Sequence, residues 1–135
     1  MRIISGKAKG TKLYTLEGMN TRPTLDRVKE SIFNIMQGEI EDAKVLDLFA
    51  GSGAIGLEFL SRGAQSAVLC DKEKSAIEII KKNVQKTHME DKAQILNADF
   101  ETGLDRLKNQ QFDIVYLDPP YATDYIVKSI RKILE

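Results

Sequence analysis

From Lys44 onward the chain repeats one unit, a short apolar run followed by a longer stretch of helical periodicity. The runs fall at residues 44–49, 67–70, 93–97 and 112–117. Each is compact and predominantly apolar, the pattern of a strand buried on both faces, and such strands belong to parallel sheets with helices packed on either side. Between and after them, Ile77, Ile80 and Val84, and again Ile126, Ile130 and Ile133, recur at helical spacing, so each segment can lay one apolar stripe on the sheet. Residues 54–62 and 101–109 are the other two predicted helices, the second weakened by Gly103. The expected architecture is α/β, a parallel sheet with flanking helices. Right-handed crossovers would carry the carboxyl ends of all four strands to one edge, where open sheets of this kind bind ligands.

The first 40 residues read differently. Gly6, Gly10 and Gly18 punctuate short extended pieces that predict a small β-hairpin, and an Arg22-Pro23-Thr24 turn follows. Thr24 is placed to cap a helix over 25–36, with Asp26 near its positive end and Val28, Ile32 and Ile35 on its inner face. This part of the chain is basic. Residues 1–29 carry Arg2, Lys7, Lys9, Lys12, Arg22, Arg27 and Lys29 against only Glu17 and Asp26, although the 20 basic and 20 acidic residues of the whole chain balance. A basic segment on a mildly acidic body can hold a polyanion on one face.

A length of 135 residues fits one domain, 1–135, with 1–40 as the basic hairpin and helix and 41–135 as the ligand-binding core. With 42% hydrophobic and 30% charged residues the composition is globular, not disordered. No stretch approaches the ~20 apolar residues of a membrane span and no signal-like segment opens the chain, so a cytoplasmic protein without a membrane partner is expected. Cys70 is the single cysteine and His88 the single histidine, which excludes an internal disulfide and gives no zinc-ligand spacing. No metal is expected, and neither residue is assigned chemistry.

Two motifs carry the functional reading. Val45-Leu46-Asp47-Leu48-Phe49-Ala50-Gly51-Ser52-Gly53 is a buried strand turning sharply into a helix, with glycines where side chains would hold a ligand off the backbone. Gly51, Gly53 and Gly56 satisfy G-x-G-x-x-G, and Asp71 stands at the end of the second strand, where it can grip a ribose diol. NAD and S-adenosylmethionine both present such a diol. Asp47 favours the methyl donor, because a carboxylate just before the turn suits an ammonium and repels a pyrophosphate. Asp99, after the third strand, is placed either to meet an adenine or to cap the helix that follows.

Asp118-Pro119-Pro120-Tyr121 closes the fourth strand. Its prolines fix φ and lack N–H donors, so the preceding carbonyls are held as rigid acceptors. Two acceptors on a planar amine turn its nitrogen lone pair outward for attack, with the Asp118 carboxylate taking one hydrogen and a main-chain carbonyl the other. Tyr121 offers a ring on which a base can stack. The same acceptor pair suits a DNA base or a glutamine side chain, although the basic N-terminal segment favours nucleic acid.

Taken with Arg2-Ile-Ile-Ser-Gly-Lys7, with the segment from Arg22 to Asn34 and with Ser61-Arg-Gly-Ala64, these motifs resemble the bacterial class I methyltransferases that modify the guanine N2 amine of small-subunit (16S) ribosomal RNA. The resemblance implies a Rossmann-like sheet of strand order 3-2-1-4 and S-adenosylmethionine as cofactor, held by Asp47, Phe49, Gly51, Ser52, Gly53, Asp71, Lys72, Asp99 and Phe100. It places the guanine on Asp118, Pro119, Pro120 and Tyr121. Ribosomal RNA, or a partly assembled small subunit, would be contacted by Arg2, Lys7, Lys9, Lys12, Arg22, Thr24 and Arg27. The family's sheet has seven strands and this sequence reaches four, so a truncated sheet with an exposed fourth strand that invites self-association is expected. Titration separates the two cofactor classes: S-adenosylhomocysteine should bind and NADH should not, and tight NADH binding without any response to the thioether would reject the methyl-donor reading.

Overall fold

The computed structural model describes residues 2–15, 23–118, 127, 130, 131 and 133. Its elements run α1 (Pro23–Ile35), β1 (Lys44–Asp47), α2 (Ala54–Ser61), β2 (Ser66–Asp71), α3 (Lys74–Lys86), β3 (Ala93–Asn97), α4 (Phe100–Arg106) and β4 (Ile114–Tyr116). The sheet order is β3-β2-β1-β4, with every pair parallel. This is the order expected from the sequence. Register follows from continuous pairing, Leu46 lying between Val68 and Val115, and Asp47 between Leu69 and Tyr116.

Because successive strand side chains point to opposite faces, β1 and β2 divide their apolar residues between two cores. Val45, Ala67 and Leu69 face a larger one with Leu57 and Phe59 of α2 and Ile77, Ile80 and Val84 of α3. Leu46, Leu48, Val68 and Cys70 face a smaller one with Phe100, Leu104 and Leu107. α4 is short, as Gly103 suggested, yet the glycine has a use: a Cβ there would lie 2.9 Å from the Cys70 sulfur. The absence of a side chain lets α4 settle on β2.

The N-terminal segment is anchored by a carboxylate buried in α2. Glu58, with 0% exposure, accepts hydrogen bonds from the Ile4 and Ser5 amides at 2.8 and 3.1 Å. It also pairs with Lys29 Nζ of α1 at 3.0 Å and with Arg62 Nε at 2.8 Å. Arg62 lies over the Phe33 ring, which meets Phe59 edge-on at 4.6 Å between centroids. Ser61 adds a second tie, its Oγ donating to the Ser5 carbonyl and accepting from the Ala8 amide. Among the described residues of the expected hairpin, Arg2 and Lys12 form one antiparallel bridge, and Gly18 lies outside them.

Three expectations are corrected. Pro23 opens α1, at a position where its missing N–H costs no helical bond, so Thr24 lies within the first turn and not ahead of it. The inner face of α1 is Lys29 and Phe33, while Ile35 is 85% exposed and Ile32 only half-buried. Glu58 causes this shift, because it supplies the countercharge that lets a lysine point inward. Beyond β4, Ile130 and Ile133 are 45% and 39% exposed and do not form the buried stripe expected of them. The side chains of Thr24 and Val28, and residues Arg22 and Ile126, lie outside the described residues.

Burial opposes ionisation of Glu58, but the Ile4 amide, Arg62 and Lys29 outweigh it and hold its pKa below the usual 4.5. The sign for a lowered carboxylate is fixed: its contribution is present above the unfolded value and is lost as pH falls through the folded one. Glu58→Gln removes the carboxylate countercharge that faces buried Lys29 and Arg62, and urea unfolding at neutral pH should show a loss of about 3 kcal/mol.

Candidate active site

β1 ends at Asp47 and the chain turns through the glycine loop into α2. Gly51 and Gly53 take φ of 59° and 83°, left-handed values that favour glycine. The loop is tied down by β2: the Ala50 amide donates to the Cys70 carbonyl at 2.9 Å, and the Gly51 amide to Asp71 Oδ2 at 2.9 Å. Asp71 Oδ1 accepts from the Glu73 amide. The acid expected to grip a ribose is thus also the buttress of the loop, and each of its oxygens keeps a second lone pair with which to accept a hydroxyl.

Asp47 is the unusual group. It is 1% exposed, and neither carboxylate oxygen has a hydrogen-bond partner among the described residues. The alternation of β1 turns it toward α2, where Gly56 makes room: a Cβ at Gly56 would lie 3.6 Å from Asp47 Oδ2 and only 2.0 Å from Leu69 Cδ2. Burial drives its pKa up to about 7; the nearby Gly56 amide pulls the other way without reaching hydrogen-bond geometry, and the Asp118 and Asp71 charges push it further up. Leaving a buried polar group unpaired is costly. A cationic group would complement it, so the ammonium of a methionine moiety fits this site.

Asp118 follows β4 at the same edge and is exposed. Because Asp47 pairs in register with Tyr116, and the Leu48 amide donates to the Tyr116 carbonyl at 3.2 Å, the two acids end neighbouring strands. Tyr116 is held up at about 12 by burial first and then by the Asp118 and Asp47 carboxylates. Asp99 takes up the capping alternative, accepting the Thr102 amide at 2.8 Å, a bond that lowers its pKa below the ordinary range. Asp47, Asp71, Asp99 and Asp118 therefore stand at the carboxyl ends of all four strands. Phe49 and Phe100 lie together below them with ring centroids 5.7 Å apart, Ser52 is buried in the loop and Lys72 is exposed at the end of β2.

Arg2, Lys7, Lys9, Lys12 and Arg27 are all exposed. Pro119, Pro120 and Tyr121, like Arg22, lie outside the described residues. Among the described residues no cluster of His, Cys, Asp and Glu could hold a metal ion, and no helix is long and apolar enough to cross a membrane. A concavity lined by Lys44, Ser66, Asp91 and Phe112 lies at the amino ends of the strands, the edge away from the glycine loop.

Comparison with known proteins places the whole chain. A family model described as conserved hypothetical protein 95 matches residues 1–135. The chain belongs to this family. Among its relatives is YlbH of Bacillus subtilis (strain 168), 42% identical over 123 residues, covering 90% of this chain and 67% of YlbH. Another is a Haemophilus influenzae protein named ribosomal RNA small subunit methyltransferase D, 38% identical over 140 residues, covering all of this chain and 71% of the relative. The solved structure of a hypothetical protein from Thermus thermophilus superposes with a TM-score of 0.84 at 32% identity, covering 99% of this chain and 77% of that one. The chain thus spans roughly two thirds to three quarters of these family members.

Sequence reasoning missed one residue that organises the site. Asn83 of α3, 0% exposed, donates from Nδ2 to the Ser52 carbonyl at 2.8 Å and to the Tyr14 carbonyl at 2.9 Å, and its Oδ1 accepts the Tyr14 amide at 2.7 Å. One side chain thereby joins the glycine loop to the N-terminal segment. Its signal was a polar residue three positions after Ile80 on the apolar stripe of α3.

The state of Asp47 yields a test. For a carboxylate whose folded pKa is raised, stability is full below the unfolded value of 3.8 and is lost as pH climbs toward about 7. Asp47→Asn, which has the same shape without the charge, should match the wild type near pH 4 and exceed it at pH 8 by up to about 4 kcal/mol in urea unfolding. A difference independent of pH would show that Asp47 is not protonated by its burial.

Proposed function

We propose that this protein transfers the methyl group of S-adenosylmethionine to the exocyclic N2 amine of a guanine in small-subunit ribosomal RNA. The observation that carries the reading is the buried, unpartnered Asp47 carboxylate beneath the glycine loop, one strand away from Asp118. The name of the Haemophilus influenzae relative supports the same substrate class. Asp47 and the loop of Phe49, Gly51, Ser52 and Gly53 receive the methionine end. Asp71 and Lys72 take the ribose, and Asp99 and Phe100 border the adenine. When bound, the cofactor supplies a methyl group on a positively charged sulfonium, which four carboxylates at one edge favour.

The chain's own residues prepare the amine. Asp118 accepts one of its hydrogens and a carbonyl of the Asp118-Pro119 pair the other, which exposes the nitrogen lone pair, while Tyr121 stacks on the base. Once methylated, the nitrogen is strongly acidic, so its proton passes to Asp118 or to water and no strong base is required. Arg2, Lys7, Lys9, Lys12, Arg22, Thr24 and Arg27 form the basic surface for RNA phosphates, residues 1–40 serving RNA and 41–135 the cofactor within a single domain. This chemistry belongs in the cytoplasm, on ribosomal RNA or a partly assembled subunit. Among the described residues β4 pairs only with β1.

Asp118→Ala should reduce transfer of tritiated methyl groups onto unmodified ribosomal RNA at least a hundredfold while leaving S-adenosylhomocysteine affinity nearly unchanged, since its contact is to the base. Mapping should locate the label on guanine N2. Loss of cofactor binding in that variant, or label on DNA or peptide glutamine instead, would reject the assignment.

A further inference from the structure

Tyr14 is held in an unusual way for a residue 49% exposed. Both its backbone groups are fixed by the buried Asn83 side chain, so the ring projects from a rigid base. Two ammonium groups of α3 gather over it, Lys86 Nζ at 4.7 Å and Lys82 Nζ at 5.9 Å from the ring centroid. Among the described residues neither lysine has a carboxylate within ion-pair distance, while neighbouring Lys81 is paired with Glu78. The chain there alternates, Leu13 pointing inward and Lys12 and Tyr14 outward, which brings a third cation to the same side.

We propose that Tyr14, Lys82 and Lys86 form a docking platform for single-stranded RNA flanking the modified nucleotide. An exposed aromatic ring beside two ammonium groups meets the two needs of such a strand, a face on which a base can stack and positive charge for its phosphates. Its location is set by Asn83, whose other bond reaches Ser52 in the glycine loop, so a nucleotide stacked on Tyr14 is one side chain removed from the loop that receives the cofactor. The platform rests on the RNA reading above, and it adds α3 to a surface otherwise assigned to residues 1–40.

The test is fluorescence anisotropy of the protein with a labelled single-stranded RNA of about ten nucleotides taken from small-subunit ribosomal RNA, repeated across salt concentrations. Calorimetric binding of S-adenosylhomocysteine reports folding of each variant. Tyr14→Ala should weaken RNA binding at least about fivefold and Tyr14→Phe less than about twofold, with cofactor affinity retained in both. Lys82→Gln with Lys86→Gln should lower the slope of log affinity against log salt by roughly 1.4. Wild-type affinity and slope in these variants would overturn the platform while leaving the RNA reading intact. Failure of the wild type to bind RNA while it binds the cofactor would overturn both. Equal competition by a polyglutamate peptide would assign the patch to an acidic protein and overturn it as well.

Discussion

β1 is hydrogen-bonded to β2 on one edge and β4 on the other, and both its faces are covered. A strand so enclosed cannot shift by one residue without turning its apolar side chains onto the wrong core, so the point at which it stops is fixed. It stops at Asp47, and the chain must leave the sheet there in the space of a few residues. The turn takes two glycines in left-handed conformation, and Asp71 at the end of β2 receives the Gly51 amide that the turn presents. Site geometry is in this sense a by-product of how a parallel sheet is closed at one edge.

The same logic explains why charge is tolerated inside. Glu58 is surrounded by donors from three parts of the chain, and its ionised form is favoured in spite of burial. Asp47, equally buried, has no such donors among the described residues and is driven toward its neutral form. Two carboxylates less than a dozen residues apart thus carry opposite assignments, one holding the N-terminal segment to the core and the other left to be satisfied by a ligand. What separates them is the supply of hydrogen bonds, since depth is common to both.

Most of the architecture was legible because its signals repeat. Continuous apolar runs marked the strands, glycine and acid marked the loop, and the resemblance to the methyltransferase family implied the sheet order. What escaped were residues whose meaning depends on a distant partner. Lys29 read as surface until Glu58, alone in an apolar helix, supplied its countercharge, and the buried stripe of α1 moved by one residue in consequence. Asn83, beside the apolar stripe of α3, drew no reading from the sequence, although it is the residue through which Tyr14 and Ser52 meet. Local periodicity identifies elements well, and it is silent about pairings formed across dozens of residues.

Cys70 sits one residue before the carboxyl end of β2 with 0% exposure, its sulfur donating to the Ala98 carbonyl at 3.4 Å and its pKa pushed by burial to about 12. A thiol so enclosed forms almost no thiolate, and thiolate is the species that alkylating agents and oxidants attack. It is also the only sulfhydryl in the chain. The native thiol is therefore chemically silent toward such reagents, and any uptake of thiol label at Cys70 counts the moments at which the sheet itself comes apart.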